Sequence, residues 1–381
     1  MKTHLLPLLS IFALCACSSH KDGSSTYDYS PQAELKATDK APQKSLSISV
    51  FNRLASESKD NIVFSPASLE GALRTLKQGA RGNTATLLNI VPDTKSGATP
   101  TMKVEEANAV FLNENIRLKA GIKADDIKTL PFGSNEACDA ISDWVSEKTH
   151  GFIEDYTSPA AANPNTKMLI VNAVHLKEKW NVPFDSQNTR SETFIDSNGK
   201  KHRVQMMHKT EVLQYAKGKN WQAIALPYKS GGYFVAILPN GNAHRFAATL
   251  TPTNYHAIIQ ALASGDKEIE LGLPNFDIET DAVSLKQALQ QCGLSQVFSP
   301  QANFSGFCDT PLFVDDVTQK CRIKLDEDGT EAAALSEIPM WLCAEESPIP
   351  LKLTFNRPFI WIITEADTAN TPYFMGIMET P

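Results

Sequence analysis

The residues best suited to chemistry in this chain are eight His and seven Cys, and their spacing excludes most of what they could do. No G-x-S-x-G elbow exposes a nucleophilic serine, and no H-E-x-x-H puts two imidazoles on one helix face. A Gly-rich phosphate loop and a dinucleotide fingerprint are absent as well. The histidines are scattered. His4 and His20 precede the main domain, His175 sits in an apolar strand-like stretch, and His208 follows Met206-Met207. A lone His in an apolar strand reads as a satisfied core residue. No two cysteines form a C-x-x-C pair, so no zinc site is expected, nor any cofactor. No nucleophile, base and orienter assemble, and the chain does not read as an enzyme.

The unusual segment is Leu325-Asp-Glu-Asp-Gly-Thr-Glu-Ala-Ala-Ala-Leu335. A strand-like stretch, Lys320 to Leu325, meets three acids, then Gly329, then small side chains. A long stretch without regular pattern follows, Ser336 to Pro350, and long structureless loops in compact domains are usually functional. It could be an ordinary Pro-rich surface loop. Against that, Met340, Trp341 and Leu342 form an apolar cluster that is normally buried, and the base of the loop is small enough to slide into a packed space. Gly329 can supply a backbone swing. Thr330, Ala332 and Ala334 alternate with Glu331, Ala333 and Leu335, so an extended segment has one face of Thr, Ala, Ala that can be buried and one that can stay wet.

The elements that must position this segment follow from periodicity. Leu46, Val50, Phe51 and Leu54 mark a helix from about Ser45 to Glu57. Ser65 is a natural N-cap and Pro66 suits the first helical position. Leu69, Ala72, Leu73 and Leu76 then form a buried stripe, ended by Gly79. Residues 92–103 read as a loop and Ala107 to Leu112 as a strand. Asn135 to His150 is amphipathic through Ala137, Ile141 and Val145. Lys167 to Leu176 is strand-like and covered on both faces. Tyr233 to Leu238, Ile269 to Leu273, Phe359 to Ile363 and Phe374 to Met378 read as strands, and Asp281 to Cys292 as a helix stopped by Gly293. Helices first and many strands later, without βα alternation, indicate an α+β protein.

Composition bounds the rest. A chain of 381 residues with 42% apolar residues can bury a full core. A formal net charge of −7, with no basic run, argues against nucleic acid as the partner. No apolar stretch reaches the ~18–20 residues of a spanning helix. Lys2 and His4 precede an apolar run from Leu5 to Leu14, the layout of a secretion signal. Leu14-Cys15-Ala16-Cys17 resembles a bacterial lipoprotein box, with Cys17 as the lipidated residue; a plain signal peptide is the alternative. The expected organisation is a signal at 1–16, a polar tether at 17–44 and a domain at 45–381, held by lipid to the bacterial envelope, at the outer membrane or cell surface. Cys138, Cys292, Cys308, Cys321 and Cys343 are odd in number, so at least one thiol stays unpaired within the chain; most are expected to be reduced and buried.

Several motifs together resemble the serpin family of suicide protease inhibitors. They are Asn61 through Ser68; Gly79-Ala-Arg-Gly-Asn-Thr84; Asn172-Ala-Val-His-Leu-Lys-Glu-Lys-Trp180 with Pro183-Phe184 and Phe194; Leu273-Pro-Asn-Phe276; Glu327-Asp-Gly-Thr-Glu-Ala-Ala-Ala334; and Phe355-Asn-Arg-Pro-Phe359. The resemblance implies a large antiparallel sheet A, barrel-like sheets B and C, eight or nine helices and an exposed reactive-centre loop at about 327–354. It implies that a protease attacks this loop and forms an acyl-enzyme. The cut loop then inserts as a strand in sheet A and distorts the tethered protease. Glu327, Gly329, Thr330, Glu331, Ala332, Ala333 and Ala334 would form the hinge. Trp180 would mark the breach at the top of the sheet, and Ser65, Ser68, Asn172 and Gln319 would form a cluster where it opens.

Counting forward from Gly329, the reactive bond falls between Cys343 and Ala344, with Leu342 the alternative scissile residue; counting back from Phe355 places it nearer Ser347. No Lys or Arg lies between Glu331 and Pro350, so elastase-like or chymotrypsin-like proteases, and papain-like cysteine proteases, are the expected targets. A thiol at Cys343 raises the expectation that oxidation changes target choice. Gln319 stands where the family normally carries His. The stretches Asn89 to Glu105 and Leu118 to Leu130 are short, so heparin activation is not expected. The alternative on the same fold is a non-inhibitory carrier or a loop cut as a substrate, and a monomer is expected in either case.

Overall fold

The computed structural model describes residues 45–92, 101–102, 104–330, 349–366 and 371–381. The expectations on the signal, Cys17 and the tether, and on Glu331, Ala332, Ala333, Ala334, Leu342, Cys343 and Ala344, lie outside the described residues.

The local signals act where the sequence places them. Ser45 caps the helix Leu46–Glu57, and Ser65 caps Pro66–Gly79 with its hydroxyl on the Ser68 amide. Ser134 caps the helix Asn135–Lys148. The strands Tyr233–Pro239 and Phe359–Thr364 are buried at every position. They pair at the centre of a nine-stranded sheet, and alternation divides their side chains between two cores. Ile360 and Ile362 point into one with Val235 and Ile237, under the helices Leu46–Glu57 and Pro252–Ala263. Phe359, Trp361 and Ile363 point into the other with Phe234 and Ala236.

A third core lies elsewhere. The strands Asp126–Leu130, Val104–Asn113 and Met168–Leu176 form a three-stranded sheet, in that order. Ala137, Ile141, Trp144 and Val145 of the helix Asn135–Lys148 pack on one face, against Phe111, Leu169, Val171 and Ala173. The helix Pro66–Gly79 crosses the other face at Gly71, where an added Cβ would lie 2.6 Å from the Glu106 carboxylate and 2.7 Å from Asn172 Nδ2.

Four features differ from expectation. The largest sheet is mixed, since Asp266–Pro274 pairs parallel with Leu351–Thr354. The sheet beneath the helix Asn135–Lys148 is divided: among the described residues, no ladder joins Met168–Leu176 to the strands Thr318–Gln319 and Arg322–Leu325. Seven α-helices occur among the described residues, against eight or nine expected, because the short connection from Asn113 to Asp126 runs without a helix. The predicted helix Asp281–Cys292 is also shorter. Val283–Ser284 is drawn into pairing with Thr318–Gln319, and only Lys286–Leu289 is α-helical before an irregular turn in which Gly293 takes a φ of 98°.

Candidate functional site

The acidic segment makes a turn, not a catalytic cluster. Asp326 Oδ1 accepts from the Asp328 and Gly329 amides at 3.1 and 3.3 Å, and the Asp326 amide donates to the Gly329 carbonyl at 2.9 Å. Burial raises the Asp326 carboxyl above its ordinary range, against the pull of these amides. The three carbonyls of the turn are held by one segment. Trp180 Nε1 donates to Asp326 O, the Phe184 amide to Glu327 O and the Trp180 amide to Asp328 O, all at 2.8–2.9 Å. The Glu327 carboxylate accepts from Thr189 Oγ1 at 2.6 Å.

After the turn the chain begins a strand. Gly329–Thr330 lies between Arg322–Leu325 on one side and Glu178–Lys179 on the other, antiparallel to both. The fit is too close for any side chain at Gly329, where a Cβ would sit 2.1 Å from the Glu178 carbonyl. Gly329 is thus required by close approach, in addition to the swing read from the sequence. The Thr330 side chain is buried, its hydroxyl 2.6 Å from that of Tyr228. The Tyr228 ring stacks on Trp180 with centroids 4.8 Å apart, and Phe184 and Phe234 close around the indole edge-on. Burial pushes the Tyr228 hydroxyl far above its usual range, so it remains a neutral hydrogen-bonding group.

Below Thr330 the divided sheet leaves an interrupted slot. A cavity of about 10 Å³ is lined by Val174, Leu176, Ile323, Thr330 and Phe374. Next comes one of about 20 Å³ lined by Ser65, Ser68, Asn172, Gln319 and Cys321. At the lower end a cavity of about 230 Å³ lies among Leu76, Met168, Ile170, Phe304, Leu312 and Val317. All three run between the strand Met168–Leu176 and the segment leading to Leu325.

The four residues of the expected opening cluster line the middle cavity, but they do not form one hydrogen-bond network. Gln319 Oε1 accepts from the Ser65 amide at 2.8 Å, and its Nε2 donates to the Ser65 carbonyl at 3.0 Å. Ser65 Oγ donates to the Tyr373 carbonyl and accepts from the Ser68 amide. Gln319 therefore holds Ser65 through its backbone. Asn172 turns away: its Nδ2 donates to Asn108 Oδ1 at 2.9 Å, because the ladder places Asn108 directly opposite. Its Oδ1 is buried with no hydrogen-bond partner among the described residues.

A strap covers the seam. The chain leaving the helix Asn135–Lys148 touches the strands on both sides. His150 contacts Glu105 and His175 on one side. On the other, the Phe152 carbonyl accepts from Arg322 at 3.2 Å, the Glu154 carbonyl from Lys320 at 2.7 Å, and the Tyr156 and Thr318 hydroxyls are 3.1 Å apart. Sequence reasoning missed the strap. Its only signal was Gly151 at the end of an amphipathic helix. Cys138, Cys292, Cys308 and Cys321 are free thiols, and burial pushes Cys321, beside the middle cavity, up to about 12.

Comparison with known proteins gives the same picture. The family model Serpin (serine protease inhibitor) matches residues 41–381. A serine protease inhibitor of Rattus norvegicus is 29% identical over 367 residues, covering 87% of this chain and 86% of its own. The native-state crystal structure of a thermophilic serpin, Tengpin, superimposes with a TM-score of 0.75 at 26% identity, covering 88% of this chain and 92% of that one. Human thyroxine-binding globulin, crystallised with its hormone, reaches a TM-score of 0.77 at 23% identity, covering 88% and 98%.

Proposed function

The chain belongs to the serpin family, and from that premise we propose that it is a suicide inhibitor whose own loop, once cut, fills the seam between Met168–Leu176 and Arg322–Leu325. The observation that carries this is a match of register. Thr330 already pairs with Glu178 on one side and Leu325 on the other. Continuing both ladders residue by residue places Ala332 between Leu176 and Ile323, and Ala334 between Val174 and Cys321, where the cavity is smallest. Both ladders then set Ser336 between Asn172 and Gln319, so the next inward side chain brings a hydroxyl to the unpartnered Asn172 Oδ1. Ile338 and Met340 fall beside Ile170 and Met168, at the largest of the three cavities along the seam. Small, small, polar, large, large is the order of the inward residues and also the order of the space.

Continued pairing reaches Met168, the first residue of its strand and so the far end of the ladder, at Met340. This supports the forward count, with cleavage after Cys343 or Leu342, over a bond near Ser347. The acyl-enzyme formed there would be carried to the far end of the seam. With no Lys or Arg between Glu331 and Pro350, the proposed targets are elastase-like, chymotrypsin-like or papain-like proteases. We place the protein outside the cytoplasm, tethered by lipid at Cys17 on the strength of Leu14-Cys15-Ala16-Cys17. Labelling with an alkyne fatty acid, abolished by Cys17→Ser, tests that placement.

One observation favours the carrier reading. Pro339 lies within the segment that would insert, and a proline in a strand paired on both sides forfeits a ladder bond. The deciding experiment is a denaturing gel of the full chain mixed with elastase, chymotrypsin, papain or trypsin. A detergent-stable band at the summed mass supports trapping, and the first residue of the released fragment locates the bond. If the loop is cut without such a band and the cleaved form gains no thermal stability, the chain is a carrier.

A further inference from the structure

Three donors of the kind that bind transition metals meet where the strap begins. Glu105 and His175 stand opposite each other on the antiparallel strands Val104–Asn113 and Met168–Leu176. His150 follows the helix Asn135–Lys148 with a φ of 53°, a left-handed conformation that side chains other than glycine rarely adopt. The turn folds its ring back onto the sheet. His150 Nε2 contacts Glu105 Oε2, and the His150 and His175 ring centroids are 5.3 Å apart. One ligand atom from each of the three residues lies within 4.8 Å of the other two. The His175 ring is also fixed by Phe152, centroid to centroid 5.7 Å.

We propose that Glu105, His150 and His175 form a binding site for a divalent transition-metal ion of the zinc class. Two imidazoles and one carboxylate are a donor set zinc accepts, with water completing the tetrahedron. Bonds of about 2.0–2.1 Å set such donors roughly 3.4 Å apart. The 4.8 Å spread closes to that by rotating side chains, and two of the three are free to rotate: Glu105 and His150 are 61% and 62% exposed, whereas His175 is buried. A buried, fixed ligand beneath two mobile exposed ones leaves a route for the ion and room for its water.

The location gives the ion a consequence, which rests on the insertion reading. Glu105 and His175 belong to the sheet on one side of the seam, and His150 belongs to the strap that crosses to Lys320 and Arg322 on the other. A strand entering the seam must pass beneath this strap. An ion joining His150 to the two strands fastens one end of the strap and slows entry. The exchange is simple: the bound ion displaces any proton on the two imidazoles and the direct contact between His150 and Glu105, and no bond in the chain is broken.

Metal-free full chain is titrated with Co²⁺, whose visible d–d absorption reports tetrahedral nitrogen and oxygen ligands, and with Zn²⁺ by calorimetry. The expected result is one tetrahedral ion per chain, bound at least tenfold more weakly by each of Glu105→Gln and His150→Gln. Both positions are exposed, and matched circular dichroism confirms that the variants fold. Absence of a d–d band, or a band equally strong in both variants, overturns the site. Amide exchange of residues 149–156, with and without Zn²⁺, reads the strap directly. Slowing by Zn²⁺ in the wild type alone supports the fastening; binding without slowing overturns it. A chain that binds Co²⁺ but traps no protease keeps the site and loses the inhibitor reading, and a chain that traps proteases without binding Co²⁺ does the reverse.

Discussion

The Thr330 and Tyr228 hydroxyls sit 2.6 Å apart, buried, with the Tyr228 ring stacked on Trp180. Gly329 and Thr330 are thus already seated as a two-residue strand, and one pair of hydroxyls stands at the point from which, on the insertion reading, that strand would lengthen. Tyr228→Phe keeps the stack and removes the partner of a buried hydroxyl, a cost of about 1–3 kcal/mol. Expected are a lower melting temperature and faster limited proteolysis near residue 330. Unchanged proteolysis would mean that the backbone ladders alone retain the hinge.

Gln319 holds both backbone groups of Ser65 at the N-terminus of the helix Pro66–Gly79. Gln319→Ala leaves the buried Ser65 amide unpaired at the middle cavity and its carbonyl with the Leu69 amide alone, at about 1–3 kcal/mol. Stability in urea is expected to fall by roughly 1–3 kcal/mol on that basis, and on the insertion reading spontaneous conversion to an inserted form should quicken. A loss under about half a kilocalorie would show that water replaces Gln319 there.

Ala334 faces inward in the continued register, between Val174 and Cys321. Ala334→Arg should leave the uncut protein as stable as before, because on the insertion reading the residue enters the seam only after cleavage. Trapping should then be lost, since burying an unpaired charge costs several kcal/mol. The protease would cut the loop and escape, and the cleaved form would gain no thermal stability. Glu331→Ala, in the outward row, should still trap. Covalent complex with Ala334→Arg at the wild-type yield would refute the register.

The Trp144 indole donates to Asp126 at 2.7 Å and, with help from Lys148, holds that carboxyl below its ordinary value of 3.8. A lowered carboxylate stabilises the fold above its unfolded value, and the contribution disappears as pH falls through the lowered folded value. Wild type should therefore melt higher than Asp126→Asn at pH 7, and the gap should close on acidification below about pH 4. A gap independent of pH would assign the effect to geometry rather than charge.

Much of this was legible because it is local. Ser65 and Pro66 start a helix by their own chemistry, and the apolar run Phe359–Ile363 can only be a strand covered on both sides. What could not be read depends on pairing between distant strands. Asp281–Ser284 has a helical pattern, yet Val283 pairs with Gln319 and the segment extends. Asn172 was expected beside Gln319, but the register with Asn108 turns it aside. Glu105, His150 and His175 are inconspicuous in the sequence, and only a ladder and a left-handed turn bring them together.

The break between Met168–Leu176 and Arg322–Leu325 sets two strand edges facing each other inside a domain. Edges accept any extended backbone, and on the insertion reading the chain's own loop would be preferred by proximity. Concentration therefore enters the behaviour of the molecule. On the insertion reading, the chain's own loop would have no competitor in dilute solution, whereas among crowded copies the loop of a neighbour would be an alternative occupant. Spacing between molecules would then govern how long each keeps its seam unfilled.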